Sequence, residues 1–166
     1  TDEEFREYTV GRPRVFLAGS IEQGKAEKWQ EVIVKALEGT NALIFNPRRD
    51  DWDATWEQDP NDEDSEFYGQ VNWELDYIDQ ADVVVFWFDA NTISPITLLE
   101  LGYCLGSNKS VIVYCPTTYF RYGNVHIMMK RYSRLIWLFT ENMCQENFAR
   151  CVELKIMSVT NTWNEK

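Results

Sequence analysis

Histidine, surplus basic charge and long apolar runs are what this chain of 166 residues has least of. His126 stands alone, and the four cysteines (Cys104, Cys115, Cys144, Cys151) form no CxxC or CxxH spacing. A zinc site is therefore not expected, and a reduced, cytoplasmic setting is the better reading. Sixteen Lys and Arg against 27 Asp and Glu leave a net charge of -11. That balance excludes a nucleic-acid polymer as partner, since such a surface needs clustered cations. Small molecules stay open, because a pocket's own field can differ from the net charge. No apolar run approaches the roughly 18 residues that cross a bilayer, so no membrane partner is expected. A signal peptide is not expected from the polar opening residues, and no internal repeat is visible.

What is present is an ordinary globular composition, 45% apolar, with seven Trp to furnish a pocket or an interface. Residues 1–13 are polar, end in "GRP" and read as a flexible lead-in; residues 14–166 read as one domain. "RVFLAGS" (14–20) is a short buried strand. Trp29, Val32, Ile33, Ala36 and Leu37 recur at helical spacing within 24–38, and "ALIFNP" (42–47) is a second strand. Residues 48–66 form a polar, Asp-rich loop, followed by a helix at 66–80. "DVVVFWF" (82–88) is apolar throughout, as in a strand covered on both faces. A helix opens at "ISPITLLELGYC" (93–104), then come a strand at 110–115, a helical segment at 122–132, a strand at 134–139 and a closing helix at 141–157. Strands alternating with helices predict an α/β domain, a doubly wound sheet of about five parallel strands with helices on both faces. Ligands of such sheets bind beyond the carboxyl ends of the strands, where Gly19, Ser20 and Asp89 fall.

Two carboxylates draw the argument. In "QVNWELDYIDQ" the helical period puts Val71, Leu75 and Ile78 on the core stripe, with Glu74 flanking it and Asn72, Asp76 and Asp79 on the watery side. In the next helix Leu98, Leu101, Gly102 and Leu105 form the packing face, while Glu100 lies with Ile96 and Tyr103. Taken alone, Glu100 reads as a solvated helix residue. Paired with Glu74 from the other helix flanking strand 82–88, it reads differently. Two carboxyls about 5 Å apart are the equipment of retaining glycosyl transfer. One attacks the anomeric carbon and the other handles the leaving group's proton.

The ordered set "VFLAGSIEQGKAEKWQ", "FNPRRDDWD", "VNWELDYIDQADVVVFWF" and "ISPITLLELG" resembles the nucleoside 2-deoxyribosyltransferase family, in particular its less characterised branch. The resemblance covers roughly residues 14–140. It implies a flavodoxin-like fold, no cofactor, and a covalent deoxyribosyl intermediate on the Glu of "ELG", here Glu100. The family's acid near the base, usually Asp, matches Glu74, a longer side chain. An Asn that completes a neighbouring subunit's sugar site matches Asn124 of "GNVHIMM", which implies a homodimer or higher homo-oligomer. One position departs: the family's Tyr in the first strand is Phe16, which cannot hydrogen-bond, and Tyr103 is a conceivable replacement donor.

Ser94 has two readings. It is either the N-cap of a helix with Pro95 at its first position, or, as the resemblance implies, a phosphate contact six residues before the nucleophile. Ser20 and its following amides are a second anion contact. Glu22 and the net charge of -11 oppose a dianionic substrate, with Lys25 the nearby exception. Trp52 and Trp56 are candidate stacking walls for a base, or simply pack their loop. "DPNDEDSE" lacks the glycine and spacing of a calcium loop and reads as a solvated acidic face. His126 reads as structural or interfacial and not as a base, and Met128 and Met129 beside it suit an apolar contact between subunits. The function expected is cleavage or exchange of the N-glycosidic bond of 2'-deoxynucleosides or their 5'-monophosphates, with a nucleoside or nucleotide and a free nucleobase as partners. The alternative is a non-catalytic nucleotide-binding or sensor module on the same fold. A flavin carrier is disfavoured by the first loop, which lacks a Ser/Thr-rich phosphate cradle, and response-regulator chemistry by "AGS" in place of an acidic pair.

Overall fold

The computed structural model describes residues 10–21, 28–48, 55–133, 137–140 and 143–164, with side chains up to residue 161. Strands and helices alternate through them: β1 (Arg14–Gly19), α1 (Trp29–Leu37), β2 (Leu43–Phe45), α2 (Glu66–Gln80), β3 (Val83–Trp87), α3 (Pro95–Gly106), β4 (Val111–Tyr114), α4 (Tyr122–Tyr132), β5 (Leu138–Phe139) and α5 (Gln145–Asn164). The strands pair in parallel in the order β2-β1-β3-β4-β5, the flavodoxin-like doubly wound arrangement. The chain builds outward from β1 to β2, then crosses back over β1 to begin β3. The crevice between the carboxyl ends of β1 and β3 is where such sheets receive ligands.

Side-chain alternation along the strands produces two cores. Phe16, Ala18, Val84, Phe86 and Phe88 face α2, α3 and α4, while Val15, Leu17, Val83, Val85 and Trp87 face α1 and α5. Every residue of β3 is buried, which explains its continuous apolar run. Each such Val or Phe taken out of water contributes about 1.5–3 kcal/mol. At the amino ends of β1 and β3, Arg14 grips Asp82 through its backbone N–H (2.8 Å) and through Nε and Nη2 (3.1 and 2.9 Å). This pairing sets the register of the two strands that frame the crevice.

Several expectations need correction. Val71 and Leu75 are 37% and 46% exposed, so they are not part of the core stripe. The inward face of α2 is instead Gln70, Trp73, Glu74, Tyr77 and Ile78, one helical stripe at i, i+3, i+4, i+7 and i+8. The aromatic rings decide the helix's rotation: Trp73 packs 6.2 Å from Phe16, and Tyr77 packs 4.3 Å from Phe45. Burying two rings outweighs burying a Val and a Leu. α5 runs on to Asn164, past its expected end at 157. Of the lead-in, residues 1–9 lie outside the described residues, as do 24–27 of the first predicted helix, 49–54 of the predicted loop, 134–136 of the last predicted strand and 141–142 of the predicted closing helix. Arg12 at the end of the lead-in donates to the carbonyls of Asn41 and Ala42 at 3.1 and 3.2 Å. No helix among the described residues is long and apolar enough to cross a membrane.

Candidate active site

α2 and α3 flank β3 on the same face of the sheet. α3 begins beyond the carboxyl end of β3 and carries Glu100 in its second turn, and Glu74 lies midway along α2. The rotation that turns Trp73 and Tyr77 inward also brings Glu74 inward, and both carboxylates end up half-buried. On the far side of α2, Asn72, Asp76 and Asp79 are exposed, as the helical period requires. Burial is the main force on Glu100, and the charge of Glu74 is the second. Together they push its carboxyl from an ordinary 4.5 up to about 8. Burial also raises Glu74, but a hydrogen bond from Gln70 Nε2 to its Oε1 (2.9 Å) opposes that rise. The charge of Glu74 is thus felt at Glu100, which links the two acids electrostatically. Two carboxyls with one proton between them can supply a nucleophile and an acid at once.

Around the carboxyl end of β1 lies a triangle of hydroxyls. Ser20 Oγ is 2.7 Å from both Thr92 Oγ1 and Ser94 Oγ, and the latter two are 2.8 Å apart. All three residues are buried. Ser20 Oγ also accepts the Asp89 backbone N–H (3.0 Å), and Thr92 Oγ1 donates to the Asp89 carbonyl (2.9 Å). Ser94 is therefore not a side-chain N-cap. Its backbone is left-handed (φ 47°), and its hydroxyl makes no capping bond. The triangle ties the end of β1 to the loop entering α3, so these groups hold the helix that carries Glu100. Thr92 was missed from sequence; its signal was the Asp-x-x-Thr spacing of a turn starting at Asp89.

The other expected positions are placed as follows. Gly19 is required by packing, since a Cβ there would meet the Trp87 carbonyl oxygen at 2.6 Å and Trp29 Cζ2 at 2.8 Å. Asp89 spends Oδ1 on the N–H and side-chain amide of Asn91, at 2.8 and 3.2 Å. Phe16 is fully buried beneath Trp73, which makes it a core residue under the site and not a substrate contact. Tyr103 does not take over the role of the absent tyrosine: its hydroxyl donates to Asp79 Oδ1 at 2.5 Å, on the outer side of α2. Trp52, Glu22 and Lys25 lie outside the described residues, and Trp56 is half-buried.

Asn124 is not brought to the acid pair within the chain. It lines a groove of about 300 Å3 on the opposite flank of α3, with Leu98, Leu101, Gly102, Arg121, Val125 and Met128. His126, beside it on α4, faces solvent and pairs with the Tyr122 hydroxyl at 3.4 Å. Among the described residues, no group of three or more His, Cys, Asp or Glu is placed to hold a metal.

A doubly wound flavodoxin-like domain with an interacting carboxyl pair beside its central strand defines the class. The chain belongs to the nucleoside 2-deoxyribosyltransferase-like family, whose model matches residues 12–119. No curated protein matches the chain. Among solved structures, it is similar to a CMP N-glycosidase of Clostridium botulinum (TM-score 0.55, 17% identity), covering 85% of this chain and 98% of that one. It is similar also to a conserved protein from Enterococcus faecalis V583 (TM-score 0.54, 10% identity), covering 87% and 99% respectively. At these identities the two structures speak for the fold.

Proposed function

We propose that the protein cleaves or exchanges the N-glycosidic bond of 2'-deoxynucleosides or their 5'-monophosphates through a covalent intermediate on Glu100. The observation that carries this reading is the Glu74–Glu100 pair, half-buried on adjacent helices, both raised by burial and Glu100 raised further by the charge of Glu74. Such perturbation is costly to a fold and marks functional carboxyls. Membership of the family and the named activity of the Clostridium botulinum neighbour both support a nucleoside N-glycoside as the substrate class.

In this reading one proton resides on the pair. Substrate binding places it on Glu74 and leaves Glu100 ionised. Glu100 attacks C1', the C1'–N bond breaks, and its electron pair leaves with the base, which takes the proton from Glu74. In the second step water, or a nitrogen of an incoming base, attacks C1' and gives its proton to Glu74. Glu100 departs as carboxylate, and the pair again holds one proton. The Ser20–Thr92–Ser94 triangle holds the start of α3, and Gly19 and Asp89 complete the crevice wall. The buried Ser94 hydroxyl, already bonded within the triangle, favours the unphosphorylated nucleoside.

The active form is a homodimer or higher homo-oligomer. Asn124 lies across α3 from the pair, so it serves a neighbour's site. Exposed Ile96, Leu99, Ile127 and Met128 beside its groove give an apolar surface for that contact. Four free thiols suit a cytoplasmic setting.

The test is to incubate the protein with each deoxynucleoside and nucleotide, CMP and dCMP included, with and without a free acceptor base. Chromatography of the products separates transferase, hydrolase and non-catalytic binder. Mass spectrometry of a trapped complex should find a deoxyribosyl adduct on the peptide holding Glu100. Full turnover by Glu100→Gln would rule the mechanism out.

A further inference from the structure

The inward stripe of α2 contains one residue that neither packing nor the reaction as described requires. Gln70 is 8% exposed and lies one helical turn before Glu74, to whose Oε1 its Nε2 donates at 2.9 Å. Burying an amide where Leu would pack is unfavourable unless the amide is hydrogen-bonded. Local rules of core composition are broken mainly at working sites. We propose that Gln70 is a positioning residue for this reaction: its amide reserves Oε1 of Glu74 as an acceptor and leaves Oε2 as the atom that takes up and delivers the proton. The inference rests on the function proposed above and adds a division of labour between the two oxygens.

The chemistry follows from the donor count. The Gln70 NH2 only donates, so the oxygen it touches stays unprotonated. A flipped amide would set two oxygens against each other. The pair's single proton therefore crosses from Glu100 to Oε2 of Glu74, and from there to the leaving nitrogen. The bond to Gln70 also favours ionised Glu74, whereas Glu100 is raised both by burial and by that charge. Between turnovers the proton thus rests on Glu100. Facing Glu74 from α3 is Glu100, on which the charge of Glu74 acts. Beyond it lie the buried Cys104 thiol and Asp79, whose carboxylate is held by Tyr103 and whose backbone carbonyl is held by Lys109. Gln70 adds no charge to this group, so it can orient Glu74 without raising the cost of the pair.

The test uses Gln70→Met, similar in volume but without a donor, and Gln70→Ala as a second variant should the first fail to fold. Carbon-13 NMR of δ-labelled glutamate, assigned with Glu74→Gln, reads the titration of Glu74 directly. In the variant its midpoint should move to higher pH by about one unit, the worth of one hydrogen bond. Kinetics supply a second readout. Turnover of a deoxynucleoside with a neutral base should fall by about tenfold. Turnover of 7-methyl-2'-deoxyguanosine should be almost untouched, because its cationic base leaves without a proton. An unmoved Glu74 titration in a folded variant overturns the inference, and so does an equal loss on both substrates. Should the wild-type protein turn over no nucleoside, the function falls, while the titration still decides whether Gln70 governs Glu74.

Discussion

Replacing Glu100 by Gln should stabilise the folded chain increasingly as the pH rises, while removing the nucleophile. The carboxyl of Glu100 is held up at about 8 against an ordinary 4.5, first by burial and then by Glu74. The folded state therefore binds this proton more tightly than the unfolded chain does. The resulting stability is fully present below pH 4.5 and is lost as the pH climbs toward 8. At roughly 1.4 kcal/mol per pH unit, the gap corresponds to a ceiling of about 5 kcal/mol. Glu100 keeps some contact with water, which screens part of this, so about 2–4 kcal/mol is expected at pH 8.5. Glutamine has nearly the same shape and no charge to lose. Urea unfolding at pH 4.5, 6.5 and 8.5 should show the two proteins nearly equal at the lowest pH and diverging steadily above it. Asp76→Asn, on the watery side of α2, is the control for a change of net charge and should track the wild type. Parallel curves for wild type and Glu100→Gln across this range would refute the claim that the site holds a strained carboxylate.

Two further predictions concern assembly and the hydroxyl triangle. Mixing inactive Glu100→Ala with inactive Asn124→Ala should restore part of the activity, because hybrid assemblies contain intact composite sites; an active monomer in sedimentation would exclude a site shared between subunits. Ser94→Ala keeps the left-handed backbone and loses the hydroxyl, and should cost about 1–2 kcal/mol. Ser94→Gly loses the same bond but relieves the backbone, and should recover about 1 kcal/mol of that in thermal melts. An equal loss in both would mean that the backbone at Ser94 carries no strain.

The alternation of apolar strands and helices was legible from residue order, because a strand covered on both faces must be apolar throughout, as 83–87 is. The right-handed crossover rule then left few sheets to choose from. Glu74 and Glu100 were legible as a pair because both helices adjoin β3 in sequence and therefore in space. What the sequence left undecided was rotation and direction. A helical wheel offers 71, 75 and 78 or 70, 73, 74, 77 and 78 as the buried stripe, and only contact with Phe16 and Phe45 favours the aromatic one. That choice also turns Gln70 toward Glu74, so an i, i+4 pair visible in the sequence acquired meaning only from burial. Ser94 looked like a cap because Ser-Pro usually opens a helix. Its hydroxyl was redirected by Ser20 and Thr92, the former 74 residues away. Tyr103 shares a helix with Glu100 yet bonds Asp79, because the side chain leans outward over α2. The residue types for the chemistry are written in the chain, whereas the environment that perturbs the two acids arises only where distant segments exclude water together.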